Sequence, residues 1–581
     1  MFTVDITKTP FSKYGSYLSV CGTEGNPALT IHNCLKLFND KIFALTFSRD
    51  GETVSPALSA TPWCLTVTAA EGQARIYLRD DNKLVLISDG LDCTLELITS
   101  FGFGGQQTPR RFRMLASSVG LYVGIDVPVG QAYLHGPMEE RPGPIVRSRD
   151  CTLHLRGEDG RTALVLEIDP VEPYPHRPLI APDPENELAA VRAEWEAYRA
   201  PLPAIPAGRE DGAELALYTH WSATVRKGGN YAYDAILMAK KFMCAVWAWD
   251  HCFNAMALTY VHPQAGLEQF LLPFAFQAPS GQVPDCFGRD GALPFGGTKP
   301  PIHGWCFGKM MDAHAWDSPT LARVYSHLER WTQWWFEYRD LDNNGLPDYP
   351  IALDSGWDNS SLLEHDFHLE SADLAAFLVL QMHVLARLAR ALDDEDAARQ
   401  WETRAQALLD QMIDVLWTGE YFTVRKSGGD LIRQTPTSML SVMPLVLGDL
   451  LPRAIYEKLL DQLQTRYLTA HGPATEAPSS PLYEPDGYWA GPIWAPSTYL
   501  IVDGLRRGGN AALADEIARR FCDMIQHHAG GNYENFDALT GKGLRAPGYS
   551  WTAAVNLQML IELGFSEESG RRLVDEQAAA Q

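Results

Sequence analysis

The chain has 581 residues, 46% of them hydrophobic and 21% charged, a globular composition long enough for two or three domains with sizeable cores. Its net charge of −24 leaves no basic surface, which argues against nucleic acid and anionic membrane as partners and says little about a neutral substrate such as a sugar. Sixteen Trp is a high count, and many stand in loop-like contexts instead of on apolar helix stripes.

The N-terminal Met1-Phe-Thr-Val-Asp-Ile-Thr-Lys lacks a basic stretch followed by an apolar run, so no signal peptide is expected. No run of about 18 uninterrupted apolar residues occurs, so no membrane span is expected either. The ten Cys (21, 34, 64, 93, 151, 244, 252, 286, 306 and 522) show no CxxC pair and no zinc spacing. They are expected to be buried free thiols of a cytoplasmic protein.

Residues 1–182 read as β. Short alternating runs, such as Lys41–Ser48, Ala74–Arg79, Lys83–Ser88 and Ala163–Ile168, are separated by Gly, Asp-Asp-Asn and Pro signals, and many strands at that spacing imply a sandwich. Pro170–Pro184 is a proline-rich connector. Glu185–Arg199 is a polar helix, followed by Pro201, Pro203 and Pro206, so 183–209 is taken as the linker. From 210 to 581 apolar spacings of three and four recur over 212–226, 250–260, 264–276, 318–338, 371–392, 395–416, 436–447, 452–466, 494–507, 511–528, 550–563 and 565–577. Such a series of helices suits a barrel of paired helices with its functional residues on connecting loops at one end. An α-solenoid would show self-similarity at a fixed period, and none is seen.

Within the helical part, Phe242–Asn254 carries Trp249 and Asp250 where a helix begins. Asp250 is read either as an N-cap or as a carboxylate for sugar hydroxyls, with Trp249 lining the pocket. Gln277, the Gly281-Gln282-Val-Pro-Asp285 loop and His303-Gly-Trp305 put planar polar groups beside rings, which suits polyol recognition. Asp340, Asp342, Asn344 and Asp348, with Gly345, match positions 1, 3, 5, 9 and 6 of an EF-hand-type calcium loop, although the twelfth position is Ile351. The readings are a structural Ca²⁺ or a plain polar turn.

Two loops carry the strongest signal. Asp354-Ser-Gly-Trp357-Asp358-Asn-Ser-Ser-Leu362 and Gly531-Asn-Tyr533-Glu534-Asn-Phe-Asp537 each place a carboxyl beside a large ring, Asp358 after Trp357 and Glu534 after Tyr533. Such a carboxyl loses hydration and holds its proton to higher pH. The Tyr488-Trp489-Ala490-Gly-Pro-Ile-Trp494 loop reads as a sugar-facing wall. Ser550-Trp551 opens a helix close to the Glu534 loop, with Ser550 as N-cap.

The set Trp249-Asp250, Gly281-Gln282-Val-Pro284, Ser355-Gly-Trp-Asp358-Asn359, Tyr488-Trp489 with Gly491-Pro-Ile-Trp494, Tyr533-Glu534-Asn535 with Thr540-Gly541, and Ser550-Trp551 resembles glycoside hydrolase family 63 and its relatives, including trehalases and mannosylglycerate or glucosylglycerate hydrolases. The resemblance spans about 240–555. It implies a mostly α fold with an (α/α)6 barrel behind an N-terminal β-sandwich domain, and inverting hydrolysis of an α-linked glycoside. It further implies Asp358 as general acid and Glu534 as general base, no cofactor for the chemistry, and a calcium site at 340–348 in several relatives. Relatives often carry Arg where this chain has Ala490. Loss of the guanidinium leaves a neutral, roomier site, so the expected substrate is a neutral gluco-disaccharide or oligosaccharide. A mannosylglycerate or glucosylglycerate hydrolase, a trehalase and a non-catalytic carbohydrate-binding protein are the alternatives. A sugar epimerase ranks below them, because His251, His303 and His365 form no obvious acid–base pair.

Overall fold

The computed structural model describes residues 2–35, 40–69, 72–98, 104–116, 121–135, 152–169, 178–291, 293, 295–364 and 366–579. Cys151, His365 and residues 170–177 of the proline-rich connector lie outside the described residues. The chain forms two compact units that interleave in sequence: Met1–Pro201 with Leu217–Ala245 and Gly288–Gly291, and Leu202–Ala216 with Val246–Phe287 and Ala292–Gln581. Residues that the sequence puts on both sides of the 183–209 linker therefore share the first unit.

In the first unit the alternating runs make two antiparallel sheets. One orders Leu18–Thr23, Asn26–Asn33, Asp40–Arg49, Asp92–Leu97, Thr152–Arg156 and Gln131–His135 side by side, with Glu52–Thr53 added on Asp40–Arg49. The other orders Gly104–Thr108, Arg111–Ala116, Leu121–Val129, Arg161–Asp169, Lys83–Asp89, Gly72–Asp80, Cys64–Ala69 and Ala57–Thr61. Leu65, Val67 and Ala69 alternate with less buried neighbours, as do Cys93, Leu95 and Leu97, which is the period-two signature of one covered face. Helix α1 (Pro184–Arg199) starts where the Asp183 side chain accepts from Asn186 N–H, and it buries Val191 and Trp195. The Trp195 ring meets that of Trp221, on α2 (Glu210–Ala223), edge-on at 5.4 Å.

The helices of the second unit sort by how much of their surface is apolar. Among the described residues, α3 (Asp250–Thr259), α5 (His303–Ala313), α7 (Ala372–Ala391), the 3-10 segment Met439–Leu450, α10 (Ala495–Arg507) and α12 (Ser550–Ala579) each pack on the next, and α12 closes back on α3. Helix α7 is long and apolar enough to cross a membrane, but 89% of that apolar window is buried inside the fold, as expected of a core helix apolar on all sides. A second layer lies outside this ring. Helix α4 (Pro263–Leu271) packs on α3, α6 (Ser318–Tyr338) and α8 (Glu395–Leu416) on α7, α9 (Arg453–Gln462) on Met439–Leu450, and α11 (Ala511–Asp523) on α10. These carry single stripes, such as Leu321, Val324, Leu328, Trp331 and Trp335 on α6 at steps of three and four.

Three departures from the sequence reading have local causes. The helices expected at 550–563 and 565–577 are one, α12. Gly564 stays inside it because a Cβ there would lie 2.5 Å from the Ala204 carbonyl oxygen, so the glycine marks close contact and not a break. The helix expected at 436–447 is the 3-10 segment Met439–Leu450, kinked at Gly448 with φ 59°. Helix α5 falls between the expected helices at 264–276 and 318–338, where the spacing shows none.

The 340–348 loop does not fit the calcium reading. Both Asp340 oxygens accept backbone N–H groups, from Asn344 at 3.0 Å and Gly345 at 2.9 Å. Asp342 Oδ2 accepts from Arg425 Nη2 at 2.7 Å and from Gly428 N–H at 2.8 Å. The Asn344 amide donates to Glu370 and accepts from Leu346 N–H, while the buried Asp348 turns to His368 Nδ1 at 3.0 Å. Arg425 also pairs with buried Glu370, so a guanidinium answers Asp342, one of the four expected ligands. No group of three or more His, Cys, Asp or Glu among the described residues is placed to hold a metal ion.

Chelator should leave the melting midpoint unmoved, whereas Arg425→Met should destabilise by about 3–5 kcal/mol, because it strands buried Glu370; thermal melts of both samples check this. A Cβ on Gly504 of α10 would lie 2.3 Å from the Leu445 carbonyl oxygen, so Gly504→Ala should lower the midpoint despite its better helix propensity, by about 1–3 kcal/mol of overpacking.

Candidate active site

The Asp358 loop is shaped by one glycine. A 3-10 turn at Ala352–Ser355 ends on Gly356 with φ 75°, and a Cβ there would lie 2.6 Å from the Trp249 ring. Only glycine meets both demands. Asn359 then clamps this loop to the Tyr488 loop: its amide donates to the Gly487 carbonyl at 2.9 Å and accepts from Trp489 N–H at 2.8 Å.

Five of the Trp named from sequence form one cluster. Trp489 stacks on Trp494 at 4.0 Å and 4°, Trp357 lies 4.7 Å from Trp489, and Trp551 meets both Trp249 and Trp494 edge-on at 5.5 Å. Each is almost wholly buried. Their faces cover one another, so they act as a dry wall for the acids more than as open stacking platforms, a correction to the sequence reading.

Against this wall stand Asp250, Asp285, Asp358, Glu534, Tyr488 and Tyr549, whose charges act on one another. Burial raises the pKa of all four carboxyls. Glu534 is pushed up to about 7, with Ala546 N–H and the Arg545 charge working against burial and Asp358 with it. In Asp358 burial is opposed by Lys299 and the Tyr488 hydroxyl, which favour its ionised form. Lys299 Nζ lies 3.6 Å from Asp358 and 3.7 Å from Asp285 and donates to the Leu353 carbonyl at 2.8 Å. Burial opposes its charge, but Asp285, Asp358, Asp250 and Asp354 together outweigh that and hold its pKa above the ordinary value. Asp250 is the first residue of α3 and makes no side-chain cap; its buried Oδ2 has no hydrogen-bond partner, so the N-cap reading gives way to a carboxyl facing the cluster. Ser550 likewise begins α12, and its hydroxyl accepts from Asn254 Nδ2 at 3.4 Å.

Four expected contacts fall elsewhere. Gln277 is consumed by its own loop and by α6, donating to the Gly281 and His327 carbonyls and accepting from His327 Nδ1 and Arg330. Gln282 donates to the Phe295 and Gly297 carbonyls, bracing the segment that leads to Lys299. Trp305 is buried between Phe253 and Tyr499, with its Nε1–H on Asp503 at 2.8 Å. Asp354 is spent on Arg339 and on Thr298 N–H, both at 3.2 Å. His251 turns to the Trp247 carbonyl, and His303 lies edge-on to Phe274, Phe270 and Trp331, so neither reads as half of an acid–base pair. Lys299 escaped the sequence reading altogether, and Tyr549 was given no role. Asp285 and Tyr488 stood inside quoted motifs without a role.

The model of the mannosylglycerate hydrolase MGH1-like glycoside hydrolase domain matches residues 244–552, more than half of the chain. A mannosylglycerate hydrolase of Rubrobacter radiotolerans is 30% identical over 195 residues, 31% of this chain and 40% of that protein. In fold, the chain is similar to a GH63 mannosylglycerate hydrolase from Thermus thermophilus solved with glucose (TM-score 0.51, 20% identity, 60% of this chain and 99% of that one). It is also similar to a bacterial glucoamylase complexed with acarbose (TM-score 0.64, 10% identity, 97% of this chain and 94% of that one). The chain is thus a glycoside hydrolase, and it belongs to the MGH1-like mannosylglycerate hydrolase domain family within glycoside hydrolase family 63.

Proposed function

We propose that the protein is an inverting hydrolase of small α-linked glycosides, built as an (α/α)6 barrel with a β-sandwich domain before it. The closed ring of α3, α5, α7, Met439–Leu450, α10 and α12 with its outer layer supports the barrel. The observation that carries the chemistry is that Asp358, 176 positions before Glu534 in sequence, stands close enough for its charge to raise the Glu534 pKa, with Tyr488 in the field of both. Asp358 donates its proton to the leaving oxygen. Glu534 takes one from the water attacking the opposite face of the ring, which asks for carboxyls roughly 6.5–9.5 Å apart. Asp250 and Asp285 accept from sugar hydroxyls. Both nearby cations are engaged, Lys299 by Asp285 and Asp358 and Arg545 by Asp486, which favours a neutral gluco-disaccharide or oligosaccharide over a charged aglycone. The relatives' activity makes mannosylglycerate and glucosylglycerate the alternative substrates.

One observation favours the reverse roles. Glu534 holds its proton to about 7, while Lys299 favours an ionised Asp358. The two assignments are kinetically equivalent in pH, since each needs one proton shared between two acids. Under either, kcat/KM should be bell-shaped, with its alkaline limb near the Glu534 pKa of about 7.

Asp358→Asn and Glu534→Gln should each lose roughly 10²–10⁴-fold in turnover on a glycoside while folding normally. Near-wild-type turnover in either would overturn the site. A glycosyl fluoride, whose leaving group needs little protonation, assigns the roles: the acid variant keeps turning it over and the base variant does not. A screen of glucose disaccharides by linkage, with mannosylglycerate and glucosylglycerate beside them, tests the substrate. The anomeric proton of the first-formed product gives the stereochemistry.

A further inference from the structure

The strand that follows Glu534 is irregular in an informative way. Tyr533–Phe536 pairs with Gly543–Pro547, but between the pairs Tyr533↔Pro547 and Asn535↔Leu544 a single residue, Glu534, faces two, Arg545 and Ala546. This is a β-bulge, and its first residue, Arg545, takes φ 60°, a left-handed conformation that an L side chain adopts only under constraint. The bulge sends Ala546 N–H to the Glu534 carboxyl and sends the Arg545 side chain across to the Tyr488 loop. There the guanidinium lies over the Tyr488 ring at 4.8 Å, donates to the Asp486 carbonyl at 3.1 Å and pairs with the Asp486 carboxylate at 3.1 Å. Tyr488 is itself a left-handed non-glycine residue, φ 63°, and its hydroxyl is within hydrogen-bonding reach of Asp358.

We propose that Arg545 is a positioning residue that ties the Glu534 hairpin to the Tyr488 loop, so that one side chain sets the placement of the two acids relative to each other. The argument rests on the reading of Asp358 and Glu534 as the catalytic pair. It accounts for two strained backbones facing each other in one place, which a loop free to relax would not keep. It also assigns a use to an ion pair of little value to stability, since Arg545 and Asp486 are 36% and 62% exposed. Glu534 is faced by Arg545, Asp358, Asp486, Tyr488 and Tyr549, and Arg545 is the cation among them. Its charge favours the ionised carboxylate, so removing it raises the Glu534 pKa and carries the alkaline limb of kcat/KM to higher pH.

The test compares Arg545→Met, Arg545→Gln and Arg545→Lys with wild type in kcat, KM, pH profile and melting midpoint. Arg545→Met is expected to lower kcat roughly 10- to 100-fold, the cost of misplacing a catalytic group by about 1 Å. KM and the midpoint should change little, and the alkaline limb should move up. Arg545→Gln, which keeps a donor for the Asp486 carbonyl, carries the same expectation if Arg545→Met fails to fold. Arg545→Lys should return the limb to its wild-type position without restoring kcat in full, because an ammonium cannot lie flat on the ring while forking to Asp486. Wild-type kcat with an unmoved limb in Arg545→Met, while Glu534→Gln is inactive, overturns this proposal alone. An active Glu534→Gln overturns instead the reading on which it rests.

Discussion

Water exclusion by five indole rings is the constraint from which the rest of the site follows. Trp489 lies flat on Trp494, Trp357 leans on Trp489, and Trp249 and Trp551 close the cluster edge-on. Burial is accordingly the largest influence on Asp250, Asp285, Asp358 and Glu534, and in each it favours the protonated form. Packing this dense leaves no slack in the backbone beside it. Gly356 must be glycine because Trp249 fills the space of a side chain, and Asn359 bonds to both Gly487 and Trp489. The same contacts that dry the pocket fix the loop that carries Asp358.

Burying carboxylates is costly unless something answers the charge, and how each is answered separates structure from chemistry. Asp348 turns to His368, Asp354 to Arg339 at 3.2 Å with a backbone N–H besides, and Glu370 to Arg425. These pairs are close and built into loops. Asp358 is treated differently. Lys299 stands off at 3.6 Å, shared with Asp285 and anchored on a carbonyl, and the Tyr488 hydroxyl is within reach, so the charge is steadied while Oδ1 keeps no hydrogen-bond partner.

Much of the scaffold is legible in the sequence because one period dominates each part. Steps of two give the strands, and steps of three and four give α6 and α8 to the residue, since outer helices show a clean stripe. The inner helices are harder. Helix α5 is buried around Gly304, Trp305, Cys306, Phe307 and Gly308, and with no polar face it shows no period. The acids beside rings were readable, because Trp357-Asp358 and Tyr533-Glu534 are local in sequence. What was not readable is how side chains are spent. Gln277 and Trp305 look like sugar contacts until the fold gives the one His327 and Arg330 and the other Asp503. Lys299, in a proline-rich loop, carries no sequence signal at all. The calcium spacing at 340–348 is real as a pattern, but Arg425, more than seventy residues away, supplies the positive charge instead.

The two catalytic candidates are best treated as one titrating unit. The Asp358 charge raises the Glu534 pKa, and Tyr488 stands in the field of both with its hydroxyl toward Asp358. Two carboxyls coupled across a dry pocket resist carrying two negative charges, so between their successive ionisations they hold one proton between them. That singly protonated state is the one an inverting hydrolase requires: one acid to give a proton, one base to take it. Which partner holds the proton in the empty pocket matters less than the cost of moving it, because a glycosidic oxygen arriving against either carboxyl adds a new acceptor and redistributes the charge. The Trp wall makes the pair share; Lys299 on one side and Arg545 on the other set how unequally.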